Sequence, residues 1–156
     1  MKGFSEALIN DLRANAPHVN VSVVMPGHVG TSIVLNTPAV LGRPSPKEMT
    51  PEGLRPLRER MEQRGLPGDA LSDDQLRAVM QPMAEDFRDK APLSAAAAAT
   101  IILDGVRRGE WRILVGEDAR ELDRMVRAAP ERAYEPEFMD ELRAKGHLNL
   151  ALTPGD

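Results

Sequence analysis

The chain has 156 residues, a hydrophobic share of 42%, a net charge of −4 and no cysteine. That length suits one ordinary domain with a packed core. The acidic balance argues against nucleic acid or an anionic membrane surface as the main partner. The lack of cysteine excludes disulfides and thiolate metal sites. No apolar run approaches the ~20 residues of a membrane helix, and polar residues interrupt any signal peptide. We therefore expect a cytoplasmic protein.

The start of the chain predicts a helix, a strand and a sharp turn. Apolar residues recur at helical spacing over residues 2–15, and Pro17 ends this amphipathic helix. Residues 19–25 form a β-branched run with little polar alternation. Such runs are typical of strands buried on both faces of a parallel sheet. Pro26 and Gly27 then stop the strand.

A long connection, residues 35–92, is rich in proline and methionine. A cap followed by proline predicts one helix over residues 51–64. A capping box predicts a second helix over residues 73–90. Pro82 lies inside the second helix and is expected to kink or split it.

The next segment predicts a helix followed by a strand. Ser94 caps a helix over residues 95–108, and residues 112–116 form a short apolar strand. Strand, helix and strand in this order indicate a right-handed parallel crossover. The fold class is therefore α/β.

The C-terminal part predicts two further helices. Asp118 and Glu121 have the spacing of a capping box, which opens a helix to about Ala128. Residues 136–145 predict a last short helix, and residues 153–156 a disordered tail.

Three segments occur in an order known from one enzyme family. Residues 2–8 resemble the helix that carries its catalytic lysine, a few residues after that lysine. Residues 26–31, Pro-Gly-His-Val-Gly-Thr, resemble its Pro-Gly-x-Val-x-Thr loop, and residues 95–116 resemble its last long helix and strand. On these segments the chain resembles the C-terminal half of the short-chain dehydrogenase/reductase (SDR) family, single-domain Rossmann oxidoreductases.

The resemblance implies the C-terminal half of a doubly wound Rossmann-type parallel sheet. It implies two parallel strands and about five to six helices. Residues 1–128 would form this partial domain, with residues 35–92 as a helical substrate-lid insertion. Residues 129–156 would be a C-terminal extension.

The loop after the first strand is the candidate cofactor site. A Pro-Gly turn at the carboxyl end of a parallel strand lets the backbone approach a ring closely. The resemblance implies that the backbone of Val29 holds the nicotinamide carboxamide of NAD or NADP. It also implies that Thr31 bonds the carboxamide or the pyrophosphate. Pro26, Gly27, Val29 and Thr31 are thus the predicted cofactor-binding residues, and a plain strand-ending turn is the alternative.

Apolar residues of the long connection are candidates for a substrate lid. Met80, Met83 and Phe87 lie in this connection, within the second predicted helix. Methionine suits adaptable pockets, and the resemblance places the family's lid here. Ordinary amphipathic helices over a core explain the pattern equally well.

The family's catalytic machinery has no counterpart in these residues. The glycine-rich phosphate loop and the catalytic serine, tyrosine and lysine would all lie upstream. Tyr134, the single tyrosine, stands far beyond the last strand, and Lys2 fills a variable position of the pattern. We therefore assign no catalytic residue and no metal ligand. We expect no measurable NAD(P)-dependent turnover by the chain alone.

Met1 stands where the family pattern has valine, and a GTG valine codon can also start a bacterial gene. Arginine, alanine and proline are abundant, as in proteins from GC-rich genomes. We hypothesise a gene start assigned too far downstream, or a remnant left by a frameshift. An upstream in-frame Tyr-x-x-x-Lys would support the first version, and upstream DNA without dehydrogenase sequence in any frame would contradict both.

Two functions remain open. The first interpretation is a fragment of an oxidoreductase whose full-length parent acts on a small-molecule alcohol or carbonyl. The alternative is a non-catalytic module that pairs with itself or with full-length relatives through helices 2–15 and 95–108. Because two interior strands alone make a marginal sheet, we expect a partly molten, aggregated or oligomeric state.

Overall fold

The computed structural model describes residues 2–62 and 67–147, which form two compact units. We call residues 2–30 and 91–147 the sheet unit, and residues 31–62 and 67–90 the helical unit. The described residues form a mixed α/β fold with the elements α1 (Lys2–Asn15), β1 (Val23–Pro26), β2 (Val29–Gly30), α2 (Ile33–Val40), α3 (Pro51–Glu62), α4 (Asp73–Asp89), β3 (Leu93–Ser94), α5 (Ala95–Arg107), β4 (Arg112–Val115), α6 (Glu117–Ala128) and α7 (Pro136–Ala144).

The four strands of the described residues form two small parallel sheets. β1 pairs with β4, so that Val23 lies opposite Arg112 and Pro26 opposite Val115. β2 pairs with β3 in the same sense. The expected parallel pairing is confirmed, whereas the number of strands and helices was underestimated. The two-residue strands β2 and β3 are too short to leave a periodic signal in sequence.

The core of the sheet unit lies between α5 and β4. Ala98 of α5 packs against Ile113 and Val115 of β4, and all three are buried. Gly105 lets the helix lie close to the strand, because a Cβ at that position would stand 2.7 Å from Cδ1 of Ile113. The predicted cap of α5 is confirmed by the Ala97 amide, which donates to the Ser94 hydroxyl at 3.2 Å.

The predicted start of the first strand, residue 19, was wrong. β1 begins only at Val23, whose amide donates to the Trp111 carbonyl at 2.7 Å. Residues 19–22 have no strand to pair with, because the segment before β4 still contains the turn at Gly109. Burial on both faces was also wrong, because Val24 is 37% exposed while Val23 is buried.

The predicted capping box at the start of α6 was wrong as well. The N-cap of α6 is Gly116, and Asp118 is buried inside the first turn. Glu121 instead accepts hydrogen bonds from Arg124 and from Lys145 beyond α7. These two cations lower the pKa of the Glu121 carboxyl from its ordinary value to about 2.

A second apolar cluster joins α6 to α7. Met125 of α6 packs with Phe138 and Leu142 of α7, and all three are buried. The predicted helix over residues 136–145 is confirmed to within one residue, and Gly146 follows it with a φ of +79°. The tail predicted to be disordered lies outside the described residues.

The helical unit is centred on Leu54 of α3 and Leu76 of α4, which are fully buried. The Arg58 guanidinium donates to the Gly68 carbonyl at 2.5 Å and to the Asp73 carboxylate at 2.7 Å. The predicted helices and the capping box of α4 are confirmed, although the end predicted for α3 lies outside the described residues. Pro82 does not split α4.

Candidate functional site

The Pro-Gly loop lies where two parallel strands end side by side. β1 ends at Pro26 and β4 ends at Val115, its register partner. The Gly27 amide extends the pairing by donating to the Val115 carbonyl at 2.9 Å. In open α/β sheets, ligands bind outside the carboxyl ends of the strands. The loop therefore has the position that a binding site in such a sheet requires.

A buried carboxylate fixes the loop. Asp118 is 3% exposed, and its Oδ2 accepts a hydrogen bond from the His28 amide at 2.5 Å. Its Oδ1 accepts one from the Ala119 amide at 2.9 Å, in the first turn of α6. The positive end of the helix dipole stabilises a carboxylate there. Asp118 thus joins the turn after β1 to the helix after β4.

Two glycines make room for this carboxylate. A Cβ on Gly27 would lie 1.9 Å from Oδ1 of Asp118, so a side chain at this position would overlap the carboxylate. A Cβ on Gly116 would lie 2.6 Å from the same oxygen, and Gly116 also has a φ of +103°. Glycine is therefore required at the predicted cofactor position Gly27 because any larger residue would collide with Asp118.

Val29 anchors the next part of the loop. Its side chain packs against the buried cluster under α5, and its backbone belongs to β2. Val29 and Gly30 lie opposite Leu93 and Ser94 of β3. The backbone of this segment is therefore held from both sides, by its own side chain and by a neighbouring strand.

Three of the four predicted cofactor residues, Pro26, Gly27 and Val29, belong to the sheet unit. Thr31 is half-buried and is the first residue of the helical unit. His28, to which no role was assigned, is itself 7% exposed, and its backbone amide donates to Asp118.

The predicted lid residues share one helix. Met80, Met83 and Phe87 are all half-buried on α4. Met80 also lines a small apolar cavity of about 130 Å³ within the helical unit, together with Pro38 and Met49. Met83 and Phe87 do not line that cavity.

A second concave region lies at the other end of the sheet unit. A groove of about 200 Å³ is lined by residues of α1 and of the segments before β1 and β4, among them Leu12, Arg13, Val21 and Trp111. It lies at the amino ends of the strands and does not include any residue of the Pro-Gly loop. Trp111, the single tryptophan, is a natural reporter for binding in this groove.

Asp118 is the site residue that sequence reasoning missed. Its spacing to Glu121 favoured a cap, whereas its partner His28 lies 90 positions away in sequence. The available signal was an acidic residue two positions after Gly116, the glycine that follows β4. Within residues 2–62 and 67–147, Asp118 takes part in no ion pair.

No group of three or more His, Asp or Glu side chains among the described residues could hold a metal ion. In the same part of the chain, no helix is both long and apolar enough to cross a bilayer. No protein-family model matches the chain, and no curated protein or solved structure matches it significantly.

Proposed function

We propose that this chain supplies the nicotinamide-side wall of an NAD(P)-dependent oxidoreductase of the short-chain dehydrogenase/reductase type, with a Rossmann-type sheet. The observation that carries the proposal is the Pro26–Gly30 loop, fixed at the carboxyl ends of two neighbouring parallel strands. Its sequence resembles the family's Pro-Gly-x-Val-x-Thr loop. A bound nicotinamide would supply hydride transfer, in carbonyl reduction or alcohol oxidation by the full-length parent.

The backbone of β2 offers the groups that a nicotinamide carboxamide needs, one acceptor and one donor. Neighbouring residues of a strand direct their N–H and C=O groups to opposite edges. Because β2 pairs with β3 along one edge, one of its two residues, Val29 or Gly30, directs its N–H and C=O groups away from β3. In this proposal Val29 holds the carboxamide and the Thr31 hydroxyl adds a further hydrogen bond. The chain's own residues thus bind and orient the ring, while proton transfer has no group assigned to it.

Nicotinamide mononucleotide (NMN) tests this proposal, because it lacks the adenosine half of the cofactor. In saturation-transfer NMR, we expect the ring protons of oxidised NMN to receive saturation from the chain, with affinity of about millimolar order. Adenosine monophosphate, the other half, is expected to give no signal. Replacing Thr31 with alanine should weaken the NMN signal at least about twofold, by loss of one hydrogen bond.

Thr37→Ala provides the matched control. Thr37 is an exposed threonine whose hydroxyl donates to the Ile33 carbonyl of its own helix. Its replacement should leave NMN binding unchanged. Equal signals from NMN and adenosine monophosphate, or none from NMN, would contradict the proposed function.

A second function is favoured by apolar side chains left exposed on two helices. Phe4 of α1 is 74% exposed, and Leu103 and Val106 of α5 are about half exposed. Exposed apolar side chains of this size often mark interaction surfaces. We propose α1 and α5 as pairing helices, with a second copy or a full-length relative as partner. Co-purification with a full-length relative would favour this function over a purely catalytic one.

A further inference from the structure

We propose that Asp118 is the positioning residue of the Pro26–Gly30 loop: by holding the His28 amide, it fixes the backbone that meets the nicotinamide ring. This inference rests on the proposed function and assigns Asp118 a task within it. Asp118 does not touch the ring in this proposal. It acts through the hydrogen bond at 2.5 Å between its Oδ2 and the backbone amide of His28.

The burial of Asp118 is costly, which argues for a specific task. Removing a carboxylate from water is strongly unfavourable unless hydrogen bonds or a cation compensate. Asp118 is 3% exposed, and the hydrogen bonds of the described structure come from two backbone amides, His28 and Ala119. The second of these bonds stays within the first turn of α6 and needs no contact with the loop. The first bond ties the carboxylate to the loop, 90 positions away in sequence.

Two glycines leave room for the Asp118 carboxylate. Gly27 and Gly116 are both glycines whose Cβ atoms would collide with Oδ1 of Asp118. The loop is therefore built around the carboxylate from two sides. His28 immediately precedes Val29, so a change in the His28 amide shifts the strand residue predicted to hold the carboxamide. Asp118 therefore determines the orientation of β2.

The experiment compares Asp118→Ala, Asp118→Asn and the control Glu117→Gln. Glu117 is the neighbouring acid in the same helical turn, with a side chain 74% exposed, and it pairs with Arg120 instead of the loop. Two readouts are taken from the 156-residue chain. Hydrogen exchange by mass spectrometry follows peptides covering the loop and, as a folding reference, peptides covering β4. Saturation-transfer NMR follows the ring protons of oxidised NMN.

We expect Asp118→Ala to raise loop exchange at least about tenfold, with β4 unchanged, and to lower the NMN signal at least about fivefold. Asp118→Asn keeps one acceptor oxygen, so it should retain about half of the NMN signal. Glu117→Gln should match the wild type in both readouts. This rescue by asparagine separates positioning from a general loss of fold.

The outcomes separate this inference from the proposed function. If the wild type gives an NMN signal and both Asp118 variants give the same signal, the inference is overturned and the proposed function stands. Absence of an NMN signal in the wild type overturns the proposed function, and the nicotinamide task of Asp118 with it. If Asp118→Ala speeds exchange in β4 as well, the comparison of Asp118→Asn with Glu117→Gln decides. Equal NMN signals in those two variants then overturn the inference.

Discussion

Gly27→Ala is expected to destabilise the sheet unit by about 3 kcal/mol or more, which lowers the melting temperature by about 10 °C. The added Cβ would lie 1.9 Å from Oδ1 of Asp118. The carboxylate is buried and holds two backbone amides, so it can move only by giving up those hydrogen bonds. Thermal unfolding followed by circular dichroism measures the effect.

Gly3→Ala is the control for this substitution. Gly3 lies in α1, and a Cβ there would meet no atom within 4 Å, so the melting temperature should stay the same or rise slightly. In an Asp118→Ala background the collision disappears, and Gly27→Ala should then cost less than about 1 kcal/mol. A Gly27→Ala protein that melts within about 2 °C of the wild type would contradict the contact between Gly27 and Asp118.

The double substitution Leu103→Ser and Val106→Ser is expected to convert an oligomer into a monomer. These side chains of α5 are 53% and 51% exposed and stand one helical turn apart. A stable dimer buries about 800 Å² from each partner, and apolar side chains at its centre contribute most of the affinity. We expect the wild-type chain to sediment as a dimer or larger species, and the double variant as a monomer with unchanged helix content.

Arg107→Ala is the control for the interface. Arg107 lies on the same turn of α5 and pairs with Asp104, and its side chain is 72% exposed. Its removal takes away no apolar surface, so the sedimentation of this variant should match the wild type. A wild-type chain that is monomeric at high concentration would contradict the pairing role of α5.

The helices with strong local signals were predictable from sequence. α1 and α5 have apolar residues at helical spacing, with a proline after the first and a serine cap before the second, and their predicted bounds agree with the structure to within one residue. α2 was missed because it carries Pro38 and a β-branched start, which favour other conformations. Helices were therefore predictable where their apolar spacing and end signals were strong in the local sequence.

Strand ends and site contacts depended on long-range pairing. β1 was expected from residue 19, yet it begins where β4 supplies a partner. Asp118 was read as a cap because its local spacing fits one, whereas its role is set by His28 and Gly27. The loop itself was found from sequence, since its Pro-Gly turn follows a strand. The carboxylate that fixes the loop could be found only in three dimensions.

The most direct test of a nicotinamide site at the Pro26–Gly30 loop is to locate bound NMN on the chain. Labelling the valine methyl groups with ¹³C places probes at Val29 in the loop, at Val21 in the groove near Trp111, and at Val126, which packs against the apolar cluster between α6 and α7. On titration with oxidised NMN, we expect the Val29 methyl signals to shift in a saturable way while those of Val21 and Val126 stay in place. Shifts at Val21 with a change in Trp111 fluorescence, or a Val29 signal that does not move, would contradict a nicotinamide site at this loop.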